Sequence, residues 1–164
     1  MNWWLLFVTP LIPMVIGAIW YHPKVFGPLW MRASGVTEEQ TKTGNIFLIF
    51  GLSYLFGVFL SQTMSTVAIH QMGVAQTMMT DPEWGVDGSA VMAAYNQFMA
   101  DYGNSHRTWA HGFLHGGFAA LTFALPILGI IALFERRGWR YFLVHTGYWF
   151  VTLLLMGGVI CALL

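Results

Sequence analysis

Four long stretches without a charged side chain constrain this chain more than any other feature of its sequence. They cover residues 3–21, 44–69, 109–134 and 141–164. A helix needs about 20 apolar residues to cross roughly 30 Å of hydrocarbon, and in lipid the backbone must satisfy its own hydrogen bonds. The sequence therefore predicts an all-α integral membrane protein, a four-helix bundle in which residues 1–164 form a single transmembrane domain.

The composition agrees with this class. Hydrophobic residues make up 57% of the chain and charged residues 9%, whereas a soluble domain carries roughly 25% charged residues. Seven Lys and Arg balance seven Asp and Glu, which excludes a nucleic-acid binder that depends on a basic face. Cys161 is the single cysteine, so neither an intrachain disulfide nor a cysteine-based metal site is expected.

The first span has two further features. Nothing basic precedes Trp3 and no small-residue cleavage site follows the span, so we expect it to be retained rather than removed as a signal peptide. Pro10 and Pro13 lack a backbone N–H, and they predict a kink in this helix.

The basic residues predict the direction of threading. Six of the seven lie in the first and third loops, and only Arg107 lies in the second loop, beside acidic residues: the six are Lys24, Arg32, Lys42, Arg136, Arg137 and Arg140. The positive-inside rule places such loops in the cytoplasm. We therefore expect a protein of the cytoplasmic (inner) membrane with both termini outside and an outer loop at residues 70–108.

Two loops contain signals for short amphipathic helices. In the first loop, Pro28 suits the first turn of a helix and Gly35 its end, while Thr37 and Gln40 form a capping-box pattern. In the outer loop, Ser89 suits the cap of a helix ending at Gly103. This second helix could dock on the membrane surface, on the chain's own spans or on a partner subunit.

Small residues recur at every fourth position in the second and third spans. Such stripes let helices approach closely in lipid, so the sequence predicts that these two spans pair along them. Self-association through one stripe is the alternative. The stripes comprise Ser53, Gly57, Ser61 and Ser65, and Gly112, Gly116, Ala120 and Ala124.

Histidines at the outer ends of the spans are candidate metal ligands. His111 and His115 are four residues apart and project from one helix face, and the topology places His70 and His106 at the same end. Imidazole suits Zn, Cu, Fe or Ni, and the methionines of the outer loop would add ligands for Cu(I). Bis-histidine haem ligation is a further hypothesis. The alternative is that these side chains are hydrogen-bonded interface residues without a metal.

A second polar cluster is expected at the cytoplasmic end, where Tyr21, His22, His145 and Tyr148 come together. It would act as a clasp between span ends, or as a small proton-linked or ligand-linked site. No charged residue lies deep in a span and no catalytic motif is recognisable, which disfavours an enzyme or ion-coupled transporter. A small transporter or channel would need a polar path along Ser61, Gln62, Thr63 and His115.

Two segments resemble a known family. They are Trp20-Tyr21-His22-Pro23 with Phe26-Gly27 and Gly35-Val36-Thr37-Glu38-Glu39, and the closing His145-Thr146-Gly147-Tyr148 with Met156-Gly157-Gly158. They are similar to motifs of a bacterial membrane family, domain of unknown function 1761. The resemblance implies a small four-span membrane protein and no established activity. The outer loop is longer and richer in Met than the family's usual connection, and His145 stands where relatives often carry another polar residue.

These features favour a small non-enzymatic integral membrane protein without a cofactor. It would be an oligomerising or accessory subunit that contacts membrane lipid and its own copies or a larger membrane complex. The main alternative is a protein that binds copper, another transition metal or haem through the outer histidines, and a small transporter or channel is the third hypothesis.

Overall fold

The computed structural model describes residues 2–164, and its regular elements within that range are all helical. A π-helical turn at Ala120–Ala124 joins two helices just before Pro126. Proline has no backbone N–H, so Pro126 cannot donate a backbone hydrogen bond. The helices are α1 (Leu5–Val8), α2 (Leu11–Trp20), α3 (Gly27–Ser34), α4 (Glu38–Thr41), α5 (Ile46–Ala68), α6 (His70–Met78), α7 (Ala90–Tyr102), α8 (Trp109–Ala119), α9 (Leu125–Phe134) and α10 (Trp139–Leu163).

Within residues 2–164, three segments are long and apolar enough to cross a membrane: Ile46–Ala68, Trp109–Phe134 and Trp139–Leu163. The first predicted span is a shorter apolar segment, Leu5–Trp20, divided between α1 and α2. The division falls at Thr9 and Pro10, so the predicted kink is a break between two helices. Pro13 lies in the first turn of α2, where a missing N–H is tolerated. The structure thus indicates a membrane protein with three clear candidate spans rather than four.

The closest helix pair is α8 with α10, which corrects the predicted pairing of the second and third spans. A Cβ atom on Gly112 would overlap the carbonyl oxygen of Gly157, and one on Gly116 would lie 2.7 Å from the Cα of Leu154. The glycines of the third-span stripe therefore approach the last helix. Their spacing determines how closely a neighbour can approach, but not which helix that neighbour is.

The stripe of α5 faces the break between α1 and α2. A Cβ atom on Gly57 would lie 2.9 Å from the Cβ of Pro10, and the hydroxyl oxygens of Ser61 and Thr9 are 2.7 Å apart. Ser65 is also buried, whereas Ser53 is exposed. The two stripes therefore have different partners within the chain.

The loop helices follow the capping signals. Gly35 ends α3 with a left-handed φ of 76°, and α4 begins with the predicted capping box of Thr37 and Gln40. Ser89 caps α7, and Gly103 follows its last residue. The sequence did not predict α6, which packs against α7 and is fixed by Gln71, whose side-chain amide donates to the carbonyl oxygen of Tyr102 at 2.7 Å. The outer amphipathic helix thus contacts α6, a neighbouring helix of the same loop.

Candidate metal centre

Four imidazoles converge at the end of the bundle where α5 ends and α8 begins. We call His70, His106, His111 and His115 the histidine cluster. Its core is a triad of His70, His111 and His115, in which one ligand nitrogen from each ring lies within 4.8 Å of the other two. The Nε2 atoms of His70 and His111 are 2.9 Å apart. The structure thus adds His70 as a third partner to the two histidines that helical spacing had placed together.

Helix α8 carries two of the triad residues on one face, and the glycines that pack against α10 lie on the adjacent face. Each triad histidine of α8 immediately precedes a glycine of the α10 contact, Gly112 or Gly116. The glycines pack against α10, and the imidazoles face His70, with ring centroids 4.9 Å from it for both His111 and His115. The close helix packing therefore also fixes the direction of the two rings.

His70 is positioned by the residues on either side of it. Ile69 is fully buried in an extended conformation between α5 and α6. Gln71 is buried as well, and its amide donates to the carbonyl oxygens of Tyr102 and Ser105 at 2.7 and 3.0 Å. A chain fixed on both sides holds the exposed His70 side chain over α8.

His106 lies beside the triad in a loop with unusual backbone geometry. Its φ of 60° is a left-handed conformation that is uncommon outside glycine. Its carbonyl oxygen accepts a hydrogen bond from the thiol of Cys161 at 3.3 Å, and Arg107 Nε donates to the Cys161 carbonyl oxygen at 2.7 Å. The ring centroid of His106 is 4.9 Å from that of His111 and 5.9 Å from that of His70. The end of α10 thus anchors the loop that brings this fourth imidazole near the triad.

The triad can be reached from the end of the bundle. His70 is exposed, and His111 and His115 are half-buried. Imidazole nitrogens that converge without thiolate or carboxylate partners suit Zn, Cu, Fe or Ni. Three ligands from the protein with an open fourth position form the arrangement that exchanges a bound water or another ligand. The donor set therefore fits a transition metal ion.

A known protein family matches almost the whole chain. The family model described as "Protein of unknown function (DUF1761)" matches residues 4–161. The chain belongs to this family. No curated protein and no solved structure matches this chain. Membership confirms the resemblance carried by the two sequence segments, and because DUF1761 has no assigned function, the metal centre is argued from its geometry.

At the opposite end of this DUF1761 protein, the second predicted cluster forms without one member. The hydroxyl of Tyr21 is 3.2 Å from Nδ1 of His145, and Tyr148 donates to the carbonyl oxygen of Pro13 at 2.9 Å. The rings of Tyr21 and Tyr148 are 5.3 Å apart. His22 instead accepts a hydrogen bond from the backbone N–H of Lys24. The tyrosines and His145 therefore tie the span ends together.

The residues of the polar path that a transporter or channel would need lie in different surroundings. Ser61 is buried against Thr9, whereas Gln62 and Thr63 are exposed. Sequence reasoning also missed the residues that position the histidine cluster, namely Gln71, Arg107 and Cys161. Nothing in their local sequence signals these roles, because each acts on a segment more than 30 residues away.

Proposed function

We propose that this protein is an integral membrane protein that binds one transition metal ion through His70, His111 and His115. The observation that carries the proposal is the convergence of three imidazole nitrogens from two separate helices. The spacing of His111 and His115 alone would serve equally well for a helix interface. The arrival of His70 from α6, held by buried neighbours on both sides, favours a ligand that all three residues share.

The distances require little movement to accommodate an ion. Nitrogens bonded to tetrahedral Zn²⁺ at about 2.0–2.1 Å lie roughly 3.4 Å apart. The triad nitrogens lie within 4.8 Å of one another, and the closest pair is 2.9 Å apart. We expect small rotations of the rings to bring all three nitrogens to bonding distance. The candidates for a fourth ligand are a water molecule and His106, whose ring centroid is 4.9 Å from that of His111.

Hydrogen bonding within the protein accounts for part of the cluster only. The His70–His111 contact satisfies one nitrogen of each ring. Among residues 2–164, His115 forms no side-chain hydrogen bond to match it, although it is half-buried. Neutral imidazoles favour divalent ions of the later first transition series, with Cu²⁺ bound most tightly in the Irving–Williams order. We therefore expect Cu²⁺ and Zn²⁺ to bind.

The test is the metal content of the detergent-purified protein after incubation with Cu²⁺ or Zn²⁺ and removal of free ion. We expect about one ion per chain, and a loss of nearly all of it in His111→Ala, because that variant keeps only two of the three triad imidazoles. His22→Ala is the matched control, since it deletes an exposed histidine at the other end of the bundle. Equal metal content in His111→Ala and the wild type would overturn the proposal.

We further propose four membrane crossings in the inner membrane, with both termini and the histidine cluster outside. Arg137 Nη1 donates to the carbonyl oxygen of Ser34 at 3.0 Å, which supports a shared side for the two basic loops. The first crossing is the least regular one. The segment Leu5–Trp20 spans about 24 Å at roughly 1.5 Å per residue, and local thinning of the bilayer can accommodate such a mismatch.

Cysteine labelling in intact cells tests this orientation. We expect a membrane-impermeant maleimide to label Asp87→Cys but not Lys42→Cys, because the positive-inside rule places Lys42 in the cytoplasm. The wild-type protein is the blank, since its native Cys161 is buried. Labelling of Lys42→Cys in intact cells, with Asp87→Cys protected until the cells are lysed, would contradict the topology.

We propose a non-enzymatic role for the metal-binding protein, as an accessory subunit of a larger membrane assembly or of an oligomer of its own copies. The first half of α5 supports a partner in the membrane, because it packs little against the rest of the chain. Phe47 is 88% exposed and Phe56 is 61% exposed. Lipid or a neighbouring helix would cover this apolar surface in the bilayer.

A further inference from the structure

A cavity of about 680 Å³ lies between α2, α5 and α10, at the end of the bundle opposite the histidine cluster. Ligand pockets commonly measure roughly 300–1,000 Å³. Most of its wall is apolar, formed by residues that include Met14, Ala18, Ile49, Phe50, Leu60 and Trp149. The cavity is therefore large enough for a small amphipathic molecule, and its wall suits an apolar body.

Three hydroxyl groups interrupt the apolar wall, those of Tyr21, Tyr148 and Ser53. The hydroxyl proton of Tyr148 is already used, because Tyr148 donates to the carbonyl oxygen of Pro13 at 2.9 Å. A phenolic oxygen that has donated its proton can still accept a hydrogen bond. The hydroxyl of Tyr21 is likewise engaged with Nδ1 of His145 at 3.2 Å. The cavity thus offers Tyr148 chiefly as a hydrogen-bond acceptor.

The wall is open next to that acceptor. Gly17 faces Tyr148, and a Cβ atom on Gly17 would lie 3.6 Å from the phenolic oxygen. Ala18, the next residue, is also small and lines the cavity. The absence of larger side chains at these two positions leaves space for a ligand group beside the hydroxyl of Tyr148.

We propose that this cavity binds a lipid-soluble molecule with an apolar body and a hydroxyl group at its head, and that the hydroxyl donates to Tyr148. A plain acyl chain would fill the apolar part equally well. It would, however, forgo the second hydrogen bond of the phenolic oxygen of Tyr148, which donates to Pro13 and can still accept from a ligand hydroxyl. The proposal is independent of the metal centre.

The test uses para-decylphenol as the probe and its methyl ether, para-decylanisole, as the matched ligand without a donor. Binding is measured on the full chain in phosphatidylcholine nanodiscs. We expect the phenol to saturate at one molecule per chain and to bind about fivefold more tightly than the ether, as one hydrogen bond warrants. Tyr148→Phe should bind the two molecules equally.

Two substitutions that introduce the same ring at different positions locate the site. Ala18→Phe fills the cavity and should weaken phenol binding at least about tenfold, because the new ring occupies the volume of the ligand. Thr122→Phe adds the same ring at an exposed position of the π-helical turn and should bind like the wild type. Circular dichroism spectra and thermal unfolding like those of the wild type in both variants would show that they are folded.

Two outcomes would overturn the proposal. Equal affinity of the wild type for phenol and ether would mean that the cavity binds an apolar chain, such as that of a phospholipid, and does not recognise a hydroxyl group. Wild-type affinity in folded Ala18→Phe would place phenol binding elsewhere on the protein.

Discussion

A single methyl group added at Gly116 is expected to separate α8 from α10, whereas the same addition at the neighbouring Gly117 should be nearly neutral. A Cβ atom on Gly116 would overlap the carbonyl oxygen of Leu153 and lie 2.7 Å from the Cα of Leu154. These are backbone atoms that cannot rotate away, so the helices must move apart. Separation forfeits the van der Waals contacts that hold helices together in lipid, at a cost of about 3 kcal/mol.

The measurement is the free energy of unfolding of Gly116→Ala and Gly117→Ala in detergent, followed by circular dichroism. Gly117 is a matched control, because the nearest atoms to its Cβ atom are on the ring of Phe150 at 4.0 Å. Gly116→Ala should also lose metal, since the same helix contact directs His111 and His115. Equal stability of the two variants would show that α8 and α10 are not packed as described.

The fold was predictable where a local signal carries the information. Uninterrupted apolar length predicted α5, the segment from α8 to α9, and α10. Serine and threonine caps located the starts of α4 and α7. The prediction was least accurate for the first span, where Pro10 divides the helix into two parts. A count of apolar residues does not predict such a break, whereas the presence of a proline, which lacks a backbone N–H, does predict it.

Helix pairing was harder to predict than helix existence. A stripe of small residues indicates close approach, but it does not identify the partner. Gly112 and Gly116 approach Gly157 of α10, whose own glycines were not recognised as a packing surface. Gly57 approaches Pro10 instead. The partner depends on how the whole chain threads, and no window of sequence contains that information.

The candidate metal centre shows the same division between local and long-range information. Helical spacing correctly places His111 beside His115, whose ring centroids are 4.5 Å apart. The topology placed His70 at the same end without giving a distance. The approach of His70 to hydrogen-bonding distance depends on the extended conformation of Ile69 and on the burial of Gln71, and neither has a sequence signature. Helical spacing therefore predicts two of the triad residues, and long-range contacts determine the position of the third.

Bound metal should stabilise the folded protein, and the size of the effect depends on the whole triad. An ion that binds only the folded state at one hundred times its Kd raises the free energy of unfolding by about 2.7 kcal/mol. We expect this increase with Zn²⁺ in the wild type, measured by thermal unfolding in detergent at increasing ion concentration. His70→Ala should lose most of it, because α6 would then supply no ligand.

The His70→Ala result separates a shared site from binding by α8 alone. His111 and His115 are one helical turn apart and could retain an ion weakly without His70, so a small residual shift at high Zn²⁺ is compatible with the triad. His22→Ala should show the full increase. If His70→Ala is stabilised as much as the wild type at every Zn²⁺ concentration, α6 takes no part in binding and the metal centre reduces to a pair of histidines on one helix.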